Sequence, residues 1–432
     1  MAFASSGTPG GASLPGKRKI YILLSAYVFA FFAAQAMSIS LLSNWLKSTL
    51  ALTGEQTGTV MGANFIACLI VQPFYGYILD KIGLRKNLLW FLAIMVASCG
   101  FFYVYIYEPL LRQNLVLGAS AGAAYLSLTF MAGSFALESY VDRIGRTYGF
   151  EYSRVRLWGA LGFACAAFFS GTLFNINPHI NFYIASAMAL VLLPVVFFFK
   201  ADTADAENVK KTAVNFKDTL AVLSLPKFWG FMVLILGVTN LYLVFDQQFP
   251  VYYAAQFATE ALGREAFGRL NFAQIFLEAG MLFVAPFIVN FTGIKRGLLL
   301  AAGIMIIRIT GSGLVEGPVL ISLMKLLHSI ELPILAVSIF RYIATHFEAR
   351  FASTLYMVGV SFGHSLGLAI LSQPVGRGYD LLGFQHTYLL IGLGALVCWI
   401  ASIWTLAPDP KRVDEIKDAA TSHDLENRDS AS

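Results

Sequence analysis

Lys325-Leu-Leu-His328-Ser-Ile-Glu331 lies inside an apolar run that extends from about Gly317 to Phe340. Lys325, His328 and Glu331 recur at i, i+3 and i+6, so on a helix they form one polar stripe flanked by Leu and Ile. On a soluble helix this is an ordinary half-exposed face. In a membrane each such group costs about 2.5–3.5 kcal/mol on insertion scales. Ionisable groups kept at that depth face one another or a water-filled cavity, and they mark a functional path. The fold therefore turns on whether this run crosses a bilayer.

Composition says that it does. Of 432 residues, 57% are hydrophobic and only 13% charged, against about 25% charged in ordinary globular domains. There is too little charge to coat a soluble surface of this size. A net charge of +5 carries no signal for nucleic acid. Cys68, Cys99, Cys165 and Cys398 stand singly in apolar runs, so neither a disulfide framework nor a metal site is read, and they are expected as buried small hydrophobes. No cofactor is expected.

Runs of about 20 apolar residues, long enough to span a bilayer, recur near 20–42, 57–79, 87–107, 114–138, 154–175 and 179–199, and again near 228–249, 267–289, 297–315, 317–340, 351–374 and 384–406. This predicts an all-α membrane protein with twelve transmembrane helices in two six-helix bundles. Residues 1–19 read as a disordered start and 20–200 as the first bundle. Residues 201–226 form a polar linker, 227–407 the second bundle and 408–432 a charged tail. Lys and Arg alternate between loops. Lys17, Arg18, Lys19, Lys81, Arg85, Lys86, Arg143, Arg146, Lys295, Arg296 and Arg341 fall on one side, and only Lys47, Arg112, Arg264, Arg269 and Arg377 on the other. The positive-inside rule then places both termini in the cytoplasm.

The halves repeat. Gly76-Tyr-Ile-Leu-Asp80-Lys81-Ile-Gly83-Leu-Arg85-Lys86 follows the second span, and Pro286-Phe-Ile-Val-Asn290-Phe-Thr-Gly293-Ile-Lys295-Arg296 follows the eighth. A parallel six-span repeat is the trace of a two-bundle secondary transporter with its site between the halves. The Gly76–Lys86 pattern resembles the signature loop of the major facilitator superfamily, which implies a cytoplasmic gate built from Gly76, Asp80, Lys81, Gly83, Arg85 and Lys86. The bland alternative is a simple basic loop.

A narrower resemblance rests on Lys325-x-x-His328-x-x-Glu331, Phe245-Asp246-Gln247-Gln248, Glu138, and Phe150-Glu151-Tyr-x-Arg154-x-Arg156-x-x-Gly159. Together these resemble the oligosaccharide–proton symporter family, of lactose permease and sucrose permease type, from about Trp45 to Leu406. The resemblance implies a major facilitator fold and roles residue by residue. Glu138, Arg156 and Phe163 would bind sugar, with Gln274, Glu278, His328 and Tyr242 on the opposite side. Glu331, His328, Arg308, Asp246 and Lys325 would carry and couple the proton, with Asp246 and Lys325 as a buried pair. Arg154 would lie nearer the surface. The plain readings stand beside these: a structural ion pair for Glu138–Arg156, lipid or core packing for Phe163 and Tyr242, and a satisfied core histidine for His328.

Departures inside the family bear on the sugar. Lactose permeases carry a glutamate where Ile275 stands, whereas Gln274-Ile-Phe-Leu-Glu278 is similar to the sucrose type. A lactose-type charge pair falls on Leu243 and His364, and Ala160 replaces a cavity cysteine. The resemblance implies a monomeric inner-membrane carrier taking up a sucrose-type disaccharide with a proton by alternating access. A lactose- or melibiose-type galactoside symporter is the alternative. Gly118, Gly122, Gly159 and Gly162 are expected to permit the close helix approach that rocking needs. A multidrug proton antiporter would want a more apolar cavity, a sugar sensor a larger soluble extension, and an intramembrane enzyme a nucleophile–base or metal arrangement.

Overall fold

In hydrocarbon a backbone N–H or C=O has no water partner, so each apolar run must satisfy its hydrogen bonds within itself. The computed structural model shows this outcome. It describes residues 16–82, 85–199, 222–348 and 355–409, and every regular element among them is helical. The first half holds α1 (Lys17–Ser48), α2 (Gly54–Ile82), α3 (Asn87–Ala97 and Cys99–Gln113, bent by 44°), α4 (Leu115–Tyr148), α5 (Tyr152–Ile176) and α6 (Pro178–Phe198). The second holds α7 (Pro226–Ala254), α8 (Glu260–Thr292), α9 (Ile294–Leu314), α10 (Pro318–His346) and α11 (Val360–Thr405).

Among the described residues, ten helices are long and apolar enough to cross a membrane, eleven with the bent α3. The expected count of twelve rests on dividing α11. Gly383 has φ 80° and ψ 168° inside that element, where two helices meet. Only glycine adopts such a backbone without steric cost. The linker, tail and first residues expected as disordered fall mostly outside the described residues.

Local chemistry sets the helix starts. The Asn114 side chain accepts from the N–H groups of Val116 and Leu117 at 2.9 and 3.1 Å. Asn177 caps α6 through His179 N–H at 2.9 Å, with Pro178 at the first helical position. Both follow the capping preferences of short polar residues. α8 starts earlier than hydropathy suggests, at Glu260 rather than near 267. Its added turns carry the i, i+4 pairs Glu260–Arg264 and Glu265–Arg269, which support helix beyond the apolar core.

The repeat is visible in the packing. Lys86 donates to the carbonyls of Val196 and Phe199 at the end of α6, at 3.1 and 3.3 Å. Lys295 donates to Leu406 at the end of α11, at 2.8 Å. Arg143, late in α4, reaches the Leu79 carbonyl at 3.0 Å, and Arg341, late in α10, reaches Asn290 at 2.6 Å. Lys86, Lys295 and Arg143 favour the negative carbonyl ends of neighbouring helices, whereas Arg341 binds the Asn290 side chain. Gly83 and the Asp80 side chain, named above for the signature loop, lie outside the described residues. Gly76 is helical, and Lys81 and Arg85 are exposed.

Large apolar side chains cover the outside: Phe291 is 92% exposed and Phe283 79%. A soluble protein does not carry so much apolar surface, which suits helices of membrane-spanning length and composition. The cysteines correct one expectation. Cys68 and Cys99 are buried, but Cys165 faces outward and Cys398 is half-buried, because their helices present those faces to lipid or neighbours.

Candidate functional site

α10 brings the polar stripe inward. Lys325, His328 and Glu331 are all buried, Glu331 completely. What neutralises them comes from α7 and α9. Arg308 of α9, also fully buried, places two guanidinium nitrogens 3.0 Å from the two oxygens of Asp246. This is the planar fork geometry that a carboxylate accepts best. The third nitrogen, Nε, lies 3.0 Å from Glu331 Oε1 but does not aim its hydrogen there, and Glu331 Oε2 has no partner. His328 Nδ1 is 3.0 Å from Glu331 Oε1. Lys325 Nζ donates to Asp246 Oδ1 at 3.1 Å.

Two carboxylates therefore meet two cations, so with His328 neutral the cluster has no net charge. Aromatic faces complete the lining. The Arg308 guanidinium carbon is 5.2 Å from the Tyr242 ring centre and 5.1 Å from that of Phe245, and Lys325 Nζ is 5.3 Å from Phe249. Tyr242 also packs on His328 at 5.5 Å. The expected Asp246–Lys325 pair is present. The doubly held Asp246–Arg308 pair beside it is not foretold by the sequence, since spacing says nothing about how α7 meets α9.

In the other half, Arg156 Nε is 2.6 Å from Glu138 Oε1, and the two side chains keep 37% and 27% of their surface exposed. This pair is accessible, unlike the α10 cluster. Phe32 of α1 lies beneath the guanidinium at 4.3 Å, a cation–π contact that fixes its plane. Tyr152 lies beside both charges. Sequence reading misses these two supports. Tyr152 stands one helical turn before Arg156 and could be found by that spacing, whereas Phe32 leaves no local signal.

From α8, Glu278 is half-buried, close enough to both Arg156 and Lys325 to feel their charge. Gln274, one turn earlier, is buried and its Oε1 has no partner. Phe163 is half-buried against the apolar core. Arg154 pairs with Glu151 at 3.6 Å, both strongly exposed, as its position near the surface implied. His364 bonds Thr239 Oγ1 at 2.9 Å, so a neutral contact stands where the lactose-type charge pair falls.

The four glycines do allow close helix approach. Gly118 and Gly122 pack on Leu111 and Tyr107, and Gly159 and Gly162 on Val28, Phe29 and Phe32, all within the first half. The halves meet elsewhere. A Cβ on Gly58 of α2 would come 2.1 Å from the Ser372 carbonyl of α11, and one on Gly268 of α8 would come 2.5 Å from the Ala167 carbonyl of α5. Asn175 donates to the Ala261 carbonyl at 2.7 Å and accepts from Arg264 at 2.9 Å. One end of the molecule is thus closed by direct contact between halves. Gly118-Ala-Ser120-Ala-Gly122 also matches the letters of a nucleophile-elbow motif. Ser120 lies within a helix and donates to Val116 O at 2.8 Å, which is not the strained strand-to-helix turn that motif requires.

Known proteins resemble the chain along most of its length. The family described as "LacY proton/sugar symporter" matches residues 13–417. Sucrose permease of Escherichia coli is 38% identical over 392 residues, covering 89% of this chain and 93% of that protein. Lactose permease of Klebsiella oxytoca is 36% identical over 390 residues, covering 89% and 91%. Raffinose permease of Escherichia coli is 33% identical over 400 residues, covering 91% and 94%. Among solved structures, the nucleoside transporter NupG superposes with TM-score 0.76 at 15% identity, covering 89% of this chain and 98% of that one. A bacterial homologue of the human lysosomal transporter Spinster, inward-facing and unoccupied, superposes at 0.62 and 13% identity, covering 91% and 98%. These two likenesses speak to the fold alone. The protein is an integral membrane transporter rather than an enzyme, and the chain belongs to the LacY proton/sugar symporter family.

Proposed function

We propose that this chain takes up a disaccharide together with one proton by alternating access, and that the sugar is of sucrose type. The observation that carries the reading is the division of charge. An accessible carboxylate–guanidinium pair, Glu138–Arg156, stands apart from a buried, neutralised cluster around Glu331. The first can accept and donate hydrogen bonds to sugar hydroxyls. The second can gain or lose a proton out of contact with water, and removal of Glu331's charge frees Arg308 from one of its two acids. Gln274, Glu278, Phe163, His328 and Tyr242 are proposed to complete the sugar site.

The sucrose preference rests on α8 and on the missing charge pair. Moving a carboxylate from position 275 to Glu278 shifts it about 5 Å along the helix axis, so it reaches different hydroxyls. Leu243 and His364 depart from the lactose type in the same direction. Uptake of labelled sucrose by cells expressing the chain should exceed uptake of labelled lactose. Lactose uptake that excess sucrose fails to inhibit overturns the assignment. Ile275→Glu combined with Glu278→Asn should move the preference toward galactosides.

From the basic loops we infer that both termini lie on the cytoplasmic side of a bacterial inner membrane. The closed end then faces outward, and its exposed Ser48 lies outside the cell. A single cysteine in place of Ser48 should react with a membrane-impermeant maleimide on intact cells. Reaction only after permeabilisation would invert the topology.

A further inference from the structure

The helix α2 begins with four N–H groups that no earlier carbonyl in the helix can accept. Its own residues satisfy two of them. Thr53 Oγ1 accepts from Gln56 N–H at 3.2 Å, and Gln56 Oε1 accepts from Thr53 N–H at 3.1 Å, a reciprocal capping box. The other two belong to Gly54 and Glu55. Both are taken by one carboxylate from the opposite half: Asp380 of α11 accepts from Gly54 N–H at 2.7 Å and from Glu55 N–H at 2.8 Å. The Gly54 carbonyl is also held from the opposite half, by Gln248 of α7 at 2.9 Å.

The approach is possible only because the backbones touch. A Cβ on Gly54 would come 2.6 Å from the Gly376 carbonyl, and a Cβ on Gly376 would come 2.1 Å from the Gly54 carbonyl. The carboxylate therefore meets the positive end of the α2 dipole, where a negative charge is favoured. That interaction exists only while this end of the molecule is shut. When the halves part here, the Gly54 and Glu55 N–H groups pass to water.

We propose that Asp380 is a gating residue of the transport cycle: by capping α2 across the interface between halves, it biases the carrier toward the state closed at this end. The proposal rests on the alternating-access reading above. It assigns to Asp380 no contact with sugar or proton, and its effect is on the balance between the two access states.

The test uses the full-length chain in lipid nanodiscs without sugar, with the native cysteines replaced by alanine. Spin labels at Ser48 and Leu381 report the closed end, and labels at Tyr77 and Phe291 report the other. With Asp380→Ala the ratio of open to closed populations at the first pair should rise about three- to tenfold, the size expected for losing a charge-assisted cap. The second pair should move closer in the same proportion. A merely structural loosening would broaden the first distance without closing the second, and that result overturns the proposal, as does an unchanged distribution. Asp380→Asn, which keeps the shape and one acceptor oxygen but loses the charge, should shift both pairs in the same direction by less. It decides the question if the alanine variant does not fold. Because the distances are read without sugar, failure here in a protein that still transports sugar counts against the latch alone. Shifted distances in a protein that moves no sugar count against the functional reading alone.

Discussion

Glu331→Gln should leave sugar exchange across the membrane running while accumulation disappears. The substitution keeps the volume of the side chain and removes only its ability to hold and release a proton. Glu331 is fully buried and shares Arg308 with Asp246, so its charge cannot be replaced by water. Uptake driven by a membrane potential gains about 2.3 kcal/mol per charge per 100 mV, which corresponds to about 50-fold accumulation. In the variant that ratio should fall to about one, because the carrier turns over as if permanently protonated and moves no charge with the sugar. Proteoliposomes loaded with unlabelled sugar and diluted into labelled sugar measure exchange. The same vesicles with an imposed potential measure accumulation. A variant that still concentrates sugar would move the proton site to another group of the cluster.

The cluster explains why the effect is confined to coupling. Asp246 keeps its two contacts with Arg308 and its contact with Lys325 when Glu331 is neutral. Removing Asp246 instead would strand the buried Lys325 and leave Arg308 facing Glu331 alone, a loss typically of about 3–5 kcal/mol in stability.

Much of this site is legible in the amino-acid sequence. Lys325, His328 and Glu331 stand out because charge inside a long apolar run is costly, and the run of spans follows from hydropathy. The repeat in the signature loops aligns Arg85-Lys86 with Lys295-Arg296, but which cation of each pair finds the carbonyl end of a neighbouring helix, Lys86 at α6 and Lys295 at α11, shows only in the structure. What stays hidden depends on how distant helices approach one another. Arg308 stands 62 positions from Asp246 and Phe32 far from Arg156, and no periodicity links them. The partners of the glycines stay hidden for the same reason. Spacing shows that a helix has a small-residue face, but Gly159 and Gly162 turn theirs to α1, and Gly58 and Gly268 form the contact between halves. Asp380 reads in sequence as one more charge beside a loop, and its meaning lies in two N–H groups more than 320 positions away.

Glu138→Ala and Arg156→Ala should each remove measurable sugar binding without unfolding the protein. The two parts of this expectation have different origins. Stability should survive because the pair is about one-third exposed, and a solvent-screened ion pair contributes roughly 0–1 kcal/mol. Binding should not survive, because each partner offers two charge-assisted hydrogen bonds to a hydroxylated ligand, and losing two of them lowers affinity about 10²- to 10⁴-fold. The remaining partner suffers as well. Without Glu138, the Arg156 fork keeps Tyr152 and Phe32 beside it but loses the carboxylate that pairs with it. Without Arg156, the Glu138 carboxylate keeps only Tyr152 beside it. Exchanging the two, Glu138→Arg with Arg156→Glu, preserves the ion pair but reverses donors and acceptors, so it should restore stability and not binding. Calorimetric titration of each purified variant with sugar, beside its thermal unfolding midpoint, separates these outcomes. Normal binding by either alanine variant, or rescue of binding by the exchange, would return Glu138 and Arg156 to a purely structural role.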